Sequence, residues 1–347
     1  MTSDTDVATA RRRARAGRGA RRVAGLAGAA LALALVAGAC GTDVPESLPG
    51  PMTTTTGPAP PAAEPQDPDC VDGTDGNVTH SLRPDAAAEQ ALATRDFPAG
   101  SYMATILDRG RLRVGVDTST ILFSSVNPRT GEFEGFDVEI AREMAAALFG
   151  SPDAIEFVAI PYSDRVDVLE DGTVDMVVDT FTINCVRDDR IDFSSQYFES
   201  SQKLLVRVDD EATGIADLGG RRVCAAAGST SAENMRALPE PAPIVEEEPD
   251  QADCLVLLQQ GQVDGISTDD TILAGMAAQD PNVKIVGEPF ADEPYGIGLP
   301  PDRPEYVRFV NAALEQVRSS GRWTTLYNQF LSKLPGSDQP PPAEYED

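Results

Sequence analysis

The chain has 347 residues, of which 41% are hydrophobic, and its formal net charge is −28. These values fit a globular protein with a core, but they argue against a nucleic-acid partner, because phosphate contact needs a basic face. The single histidine, His80, argues against histidine-based catalysis and against a histidine-rich metal site, and we expect neither a metal nor a cofactor. This length accommodates one large domain or two linked ones.

The first 39 residues have the pattern of a signal peptide. Seven arginines precede an apolar run of 17 residues at 23–39. A transmembrane anchor is the alternative, but the run is at the short limit for spanning and is rich in Ala and Gly. The stretch VAGAC resembles a lipobox, with Ala37 where Leu is usual, and predicts cleavage before Cys40 and lipid attachment to it. The pair Arg21-Arg22 leaves Sec and Tat export both open.

Three further segments are set apart by composition. Residues 40–69 contain PMTTTTGPAPPAAEPQDP, which predicts a flexible Pro/Thr-rich tether behind the lipidated cysteine. Residues 70–107 form an N-terminal extension, and the Pro-rich residues 336–347 are predicted to be a disordered tail. The chain is therefore expected to be extracytoplasmic and lipid-anchored to the cell membrane.

Strand and helix patterns alternate between these ends. The predicted strands are, in chain order, RLRVGVD, IEFVAI, VDMVVD, RRVCAAA, APIVEEE, VDGIST and PYGIGLP. The predicted helices are EGFDVEIAREMAAALFG, SDRVDVLEDG, SAENMRAL, ADCLVLLQQG, DDTILAGMAAQD and a final pair in PEYVRFVNAALEQVRSSGRWTTLYNQFL. Asp137 and Ser163 are the expected N-caps of the first two helices, which Gly150 and Gly172 would end.

This alternation predicts an α/β fold with mostly parallel sheets. The motif LEDGTVDMVVDT is echoed about 90 residues later by LQQGQVDGISTDD. Each copy runs from a helix through a glycine into a strand and then a polar loop. The echo indicates two similar lobes, each with a loop at the carboxyl end of a strand, where open α/β sheets bind ligands.

Export also explains the cysteines. Apart from Cys40 there are four, and four cysteines allow three pairings. Cys224 lies in a predicted strand and Cys254 in a predicted helix about 30 residues on, so we favour that pair and, by elimination, Cys70–Cys185. A metal site built from the four thiolates is the alternative, but it lacks any CxxC pair.

At this point the chain resembles the extracytoplasmic polar amino-acid binding proteins of ABC importers, over roughly residues 105–333. The stretches that carry the resemblance keep their order, and they are RLRVGVD, EGFDVEIAREMA, YSDRVDVLEDGTVDMVVDTFTIN, RDDRIDFSSQYF, AAAGSTSAENM, GQVDGISTDDTILAG, EPYGIGLP and SGRWTTLYNQFL. The glutamate/aspartate- and glutamine-binding lipoproteins of high-GC Gram-positive bacteria are the most similar branch.

The resemblance implies a two-lobed clamshell of the periplasmic binding protein type, with two crossing hinge strands near QKLLVRV and PYGIGLP. Lobe 1 would comprise 108–203 and 297–335, and lobe 2 would comprise 204–296. The implied partners are a free amino acid and an ABC permease or a membrane sensor, and the implied state is a monomer.

A free amino acid is a zwitterion, so a buried site needs a guanidinium for its carboxylate and a carboxylate for its ammonium. The family places that arginine five residues beyond a threonine, which here gives Arg187 and Thr182. Thr180 would offer its carbonyl to the ammonium, and Asp269 is the ammonium partner, with the N-cap of the following helix as its alternative role. The alternative is that Arg187 only pairs with nearby aspartates and binds no ligand.

Three further contacts come from the resemblance. Thr230 matches a contact position just before the predicted helix SAENMRAL, and Ser231 is a candidate N-cap of that helix. Asp270 would be the N-cap of the helix that follows Asp269. Tyr162 would form an aromatic wall, with core packing as its alternative. Arg165 matches an arginine that acidic-amino-acid binders keep near the ligand side chain, with a surface helix position as its alternative.

The resemblance implies no single ligand, because the residues near the ligand side chain match both acidic-amino-acid binders and glutamine binders. Asp117 stands where glutamine binders have Asp and glutamate/aspartate binders have a basic residue. A carboxylate there would accept from a side-chain amide and repel a γ-carboxylate unless Arg165 compensated. We therefore expect glutamate, aspartate or their amides as ligands, with no ranking.

Two other functions share this fold. A sensing lipoprotein that feeds a membrane signalling protein would have the same clamshell. An enzyme such as a dehydratase would need an acid/base group in place of an intact zwitterion clamp, so Thr182, Arg187 and Asp269 together favour binding without catalysis.

Overall fold

The computed structural model describes residues 80–334 and 336–346. The predicted signal peptide, the tether, Cys40 and Cys70 lie outside these ranges. The strands are β1 His80–Ser81, β2 Leu112–Val116, β3 Ser119–Thr120, β4 Ser124–Val126, β5 Phe133–Glu134, β6 Ile155–Ala159, β7 Met176–Val177, β8 Asp192–Phe193, β9 Phe198–Arg207, β10 Arg222–Ala226, β11 Ile244–Glu248, β12 Gly265–Asp269, β13 Val283–Tyr295, β14 Gly298–Leu299 and β15 Glu344–Tyr345.

The α-helices are α1 Ala86–Thr94, α2 Tyr102–Arg109, α3 Phe136–Phe149, α4 Asp167–Glu170, α5 Cys185–Asp188, α6 Thr230–Arg236, α7 Gln251–Gln259, α8 Asp270–Gln279, α9 Pro304–Ser319 and α10 Arg322–Phe330. In the part of the chain that the structure describes, none of them has both the length and the hydropathy of a membrane span.

The first body, which we call lobe 1, is built on a five-stranded sheet of order β6-β2-β7-β14-β8. Strand β2 runs parallel to β6 and β7, whereas β14 is antiparallel to its neighbours. Alternate side chains face opposite ways along the strand. Met176 and Val178 therefore join the core under α3 and α9, whereas Val177 joins the core on the other face. Both faces of the sheet are covered, as the near-continuous apolar run VDMVVD indicates.

The second body, lobe 2, has a sheet of order β11-β10-β12-β9-β13. Strand β10 is parallel to β11 and β12, and β9 is antiparallel to β12 and β13. The predicted disulfide Cys224–Cys254 is present and ties β10 to α7, with a Cα–Cα distance of 5.5 Å. Cys185 also takes part in a disulfide, and its pairing with Cys70 stays a prediction.

Strands β9 and β13 connect the lobes. Their pairing runs from Arg207 opposite Val283 in lobe 2 to Phe198 opposite Tyr295 at the lobe boundary. Gln202 already pairs with Asp269 in the lobe 2 sheet, so the first crossing lies slightly before the predicted QKLLVRV. The second crossing leads from β13 into β14, within PYGIGLP.

Asp137 is not the N-cap of α3, contrary to the prediction. Gly135 precedes the helix at φ 138°, and a Cβ there would lie 2.1 Å from the carbonyl oxygen of Phe123. The fully buried Asp137 carboxylate instead accepts from Thr180 N at 2.7 Å and from Tyr197 Oη at 2.8 Å. The predicted stop at Gly150 is correct, since it has φ 72° and its N–H closes the last turn.

The other predicted caps are also displaced. A 3₁₀ turn at Tyr162–Asp164 precedes α4, and Ser163 makes no capping bond. Ser229 rather than Ser231 caps α6, accepting from Ala232 N at 3.2 Å. Asp270 is the first residue of α8, and its carboxylate accepts from Ser200 Oγ at 2.9 Å. Short polar residues crowd these junctions, and tertiary partners decide which of them caps.

Both chain ends of the described region pack on lobe 1. In the N-terminal extension, Phe97 meets Phe309 of α9 edge to face at 5.2 Å. The tail is ordered rather than disordered over residues 336–346. Strand β15 pairs with β1, and Tyr345 Oη donates to the Glu315 carboxylate at 2.7 Å. An aromatic anchor among the prolines gives the tail a packing partner that its composition does not reveal.

Candidate ligand-binding site

The side chains predicted to contact the ligand are buried in one cleft between the lobes. Each is at most 8% exposed, and they are Asp117, Tyr162, Arg165, Thr180, Thr182 and Arg187 from lobe 1, with Thr230 and Asp269 from lobe 2. They lie at or just after the carboxyl ends of β2, β6, β7 and β12, or begin α6. This is the edge at which ligands bind in open α/β sheets.

Arg187 is positioned by its own loop. Asn184 caps α5 by accepting from Arg187 N at 2.9 Å. The guanidinium donates from Nη1 to the Thr182 carbonyl at 2.6 Å and from Nη2 to the Gly228 carbonyl of lobe 2 at 3.3 Å. Burial, with the nearby charge of Arg165, lowers the pKa of Arg187 to about 9. A buried cation in this position favours an anionic ligand group, which would restore its lost solvation.

Arg165 is braced by backbone carbonyls. Its Nε donates to Tyr162 O at 3.0 Å, its Nη1 to Asp179 O at 3.2 Å and its Nη2 to Gly228 O at 3.4 Å. Its guanidinium also lies 4.6 Å from the centre of the Phe181 ring. Three of the five N–H groups are thereby used on the protein itself. This residue therefore shapes the cleft and adds positive charge, and it has little capacity left for a ligand side chain.

Tyr162 forms a polar wall together with two threonines. Its Oη lies 2.8 Å from Thr120 Oγ1 and 3.4 Å from Thr180 Oγ1. Thr180 has φ 42°, a left-handed conformation that is rare for residues other than glycine. The bond from Thr180 N to Asp137 stabilises this conformation. Strain of this kind, held by a buried carboxylate, is typical of a binding loop.

Asp117 receives backbone donors and lies beside a second carboxyl group. Its Oδ2 accepts from Ser119 N at 2.8 Å and Thr120 N at 2.6 Å. Its own N–H donates to Asp179 Oδ1 at 3.1 Å. Burial, with the neighbouring Asp117 charge, raises the pKa of Asp179 to about 8. Asp179 therefore holds its proton to a higher pH than a free carboxylic acid does, while Asp117 accepts from two backbone donors.

Asp269 ends β12 in lobe 2. Its carboxylate accepts a short hydrogen bond from Tyr295 Oη of β13. Burial raises the pKa of Asp269, and the charge of Glu293 adds to the rise. A buried carboxylate of this kind would gain from a cationic ligand group placed next to it.

Glu293 was missed by the sequence analysis. It is fully buried on β13, where its Oε2 accepts from Thr230 Oγ1 at 2.7 Å and its Oε1 from Asn234 Nδ2 at 3.3 Å. The alternation along β13 could have found it, since Glu293 and the buried Tyr295 are two residues apart and so share a face.

The lobes touch each other around this cleft. Ser119 Oγ in lobe 1 donates to Asp250 Oδ1 in lobe 2 at 2.6 Å. Gly228 has φ 72°, and a Cβ there would lie 2.7 Å from Ser163 Cα across the cleft. The site is therefore closed, and only a glycine permits this approach.

Comparison with known proteins finds one matching family and several similar sequences. The profile of the bacterial extracellular solute-binding proteins, family 3, matches residues 112–333. The glutamine-binding protein of an ABC transporter of Bacillus subtilis is 36% identical over 234 residues, which cover 67% of this chain and 85% of that protein. A glutamate-binding protein of Corynebacterium glutamicum is 31% identical over 253 residues, covering 70% and 85%.

Solved structures agree in fold. An ancestral arginine-binding protein bound to glutamine superposes with a TM-score of 0.60 at 30% identity, covering 65% of this chain and 99% of that one. The matched residues 112–333 begin with β2 and extend beyond α10. The similarity therefore spans both lobes and the cleft between them.

Proposed function

This chain belongs to family 3 of the bacterial extracellular solute-binding proteins, and we propose that it is an extracytoplasmic receptor that encloses one free amino acid, with glutamine preferred, and delivers it to an ABC permease. The observation that carries this proposal is the burial of Arg187 and Asp269, from opposite lobes, in one cleft. Their charges act on each other across the site.

The two charges match the two ends of a zwitterion. Arg187 binds the α-carboxylate through its forked N–H groups, assisted by the hydroxyl groups of Thr182 and Thr230. Asp269 binds the α-ammonium, and Thr180 contributes its carbonyl. Tyr162 covers the ligand backbone. A zwitterion bound in this way leaves neither of its charges unpaired in the cleft, which a buried ligand requires.

The charges near the ligand side chain favour an amide over an acid. Asp117 accepts from an amide N–H and repels a carboxylate. Arg165 does not offset that repulsion well, because three of its N–H groups bind backbone carbonyls. The B. subtilis relative, a glutamine-binding protein, supports this preference. Glutamate is the weaker ligand.

Lobe closure follows from the same contacts. The ligand touches Arg187 in lobe 1 and Asp269 in lobe 2 together only when the cleft is closed, so binding shifts the population toward the closed form. The permease recognises that form. The relatives described above are solute-binding proteins rather than enzymes, which supports a receptor without catalytic activity.

The proposal also covers the location of the protein in the cell. The basic and apolar leader with its lipobox-like VAGAC supports export and a lipid anchor at Cys40. The Pro/Thr-rich residues 41–69 then tether the receptor to the membrane surface as a monomer.

Isothermal calorimetry of the purified chain from residue 41 onward against each of the twenty amino acids tests the proposal. We expect glutamine to bind most tightly, with glutamate about tenfold or more weaker, since one unfavourable charged contact costs about that much. Binding of no amino acid would refute the receptor function, and a clear preference for glutamate would refute the role given to Asp117.

A further inference from the structure

Glu293 is a buried carboxylate that the proposed ligand chemistry does not use. It lies on β13, close to the second crossing between the lobes, and is fully buried. Burial raises its pKa, whereas hydrogen bonds from the Thr182 and Thr230 hydroxyls and the charge of Arg187 act against that rise. The carboxylate is therefore held by donors from both lobes.

These donors are the ones that a ligand α-carboxylate needs. Arg187, Thr182 and Thr230 form the proposed carboxylate subsite. Glu293 accepts from the Thr230 hydroxyl at 2.7 Å, and its charge acts on Arg187. Among the carboxylates whose charge raises the pKa of Arg187, Glu293 has the largest effect, ahead of Glu233 and Asp269. An ionised Glu293 and a ligand carboxylate cannot both occupy this subsite without mutual repulsion.

We propose that Glu293 is an internal competitor that occupies the Thr230 side of the α-carboxylate subsite in the closed cleft, so that the ligand carboxylate must displace Glu293 from Thr230 and Glu293 sets the affinity of the receptor. This inference rests on the proposed amino-acid receptor function. It predicts that the competitor weakens binding of ligands with an α-carboxylate and supports binding of analogues without one.

Glutamine titrations of the wild type and of Glu293→Gln by calorimetry test the first part. The substitution keeps the shape and an acceptor for Asn234, and the threonine hydroxyls can rotate to suit the amide. We expect glutamine to bind about tenfold more tightly, because a buried carboxylate charge that repels the ligand α-carboxylate is removed. Asp292→Asn is the matched control, since Asp292 is the exposed neighbour on the same strand, and it should leave the affinity unchanged.

Glutaminamide, in which an amide replaces the α-carboxylate, tests the second part. In the wild type Glu293 can still neutralise Arg187 when this analogue binds, whereas in Glu293→Gln nothing replaces the lost charge. Affinity for glutaminamide should therefore fall in the variant while affinity for glutamine rises.

The remaining outcomes separate the alternatives. A variant that binds both ligands more weakly would show that Glu293 holds the ammonium instead and would overturn the inference, as would unchanged affinity for both. Melting of the ligand-free variant, followed by circular dichroism, confirms that it folds; if it does not, Glu293→Asp, whose shorter side chain draws the carboxylate away from Thr230, should also tighten glutamine binding. Failure of the wild type to bind any amino acid would refute the proposed function itself.

Discussion

Arg187 of lobe 1 donates from Nη2 to the carbonyl oxygen of Gly228 in lobe 2 over 3.3 Å. Arg165 donates to the same oxygen at 3.4 Å. One backbone atom of lobe 2 thus receives both buried guanidinium groups of lobe 1. The proposed anion subsite and the contact between the lobes therefore share the same atoms, so a substitution that alters one should also alter the other.

Arg187→Ala should abolish amino-acid binding. The substitution removes the forked donor for the α-carboxylate, and we expect affinity for glutamine to fall about 100-fold or more by calorimetry. The fold should persist, because a neutral alanine relieves the burial of a charge. Arg190→Ala is the control, since Arg190 is a surface arginine of the same loop that pairs with Asp167 and Glu170. Normal binding by Arg187→Ala would disprove the site.

Asp117→Asn should reduce the preference for glutamine over glutamate. Asn can keep an oxygen toward Ser119 N and Thr120 N while it replaces the second carboxylate oxygen with a donor. We expect glutamine binding to weaken about tenfold and glutamate binding to weaken less or to improve. Competition calorimetry gives the ratio, with exposed Asp164→Asn as the control. An unchanged ratio would place the ligand side chain elsewhere.

Gly228→Ala should hinder closure of the cleft. The new Cβ would lie 2.7 Å from Ser163 Cα of the other lobe. Gly220→Ala is a matched control in lobe 2, because Gly220 has φ 73° with nothing within 4 Å of the added Cβ. Both substitutions should cost about 1–2 kcal/mol of stability from left-handed backbone strain, whereas only Gly228→Ala should weaken glutamine binding. Equal affinities in calorimetry would mean that the lobes do not close to this distance in solution.

Asp250→Asn should strengthen closure at alkaline pH. Burial and the facing Asp117 raise the pKa of Asp250 in the closed form, so the closed form holds a proton that the open form releases. Rising pH therefore opposes closure in the wild type. Asn can still accept from Ser119 Oγ without the repulsion, so the variant should bind glutamine more tightly than the wild type at about pH 8, and the difference should shrink as pH falls toward about 4. A constant affinity ratio across this range would contradict the explanation.

Asp137→Asn should flatten the dependence of stability on pH. Burial raises the pKa of Asp137 from 3.8 to about 7. The folded chain therefore holds a proton that the unfolded chain has lost, and the free energy of unfolding falls as pH rises from about 4 to about 7. Asparagine can accept from Thr180 N and donate to Tyr197 Oη without this titration.

Urea unfolding at several pH values checks this change in slope. The fall in the free energy of unfolding with rising pH should become shallower rather than vanish, because the raised pKa of Asp179 acts in the same direction. Exposed Asp96→Asn should leave the slope as it is in the wild type. A variant with the wild-type slope would mean that Asp137 does not carry this proton.

Short-range patterns predicted much of the fold. The apolar run VDMVVD did lie between two covered faces, and the predicted helix in PEYVRFVNAALEQV formed as α9, with Val307, Val310, Leu314 and Val317 buried. The caps at Asp137 and Asp270 failed, because these carboxylates find partners in distant segments that compete with local capping, whereas Ser163 donates to the adjacent Asp164. The ordered tail was also missed, since its partners Glu315 and β1 are local neighbours only in the folded chain.

The sequence by itself determined the α/β alternation, the Cys224–Cys254 pair and, through the resemblance, the cluster around Arg187 and Asp269. Periodicity and the order of motifs can be read from the sequence alone, so they need no knowledge of the fold. Only the tertiary structure decided that Arg165 binds backbone carbonyl groups, that Gly228 is a point of contact between the lobes and that Glu293 binds the Thr230 hydroxyl of the proposed carboxylate subsite. Those relations join residues 41 to 63 positions apart, and their energies depend on distance and burial, which exist only once the lobes have folded and met.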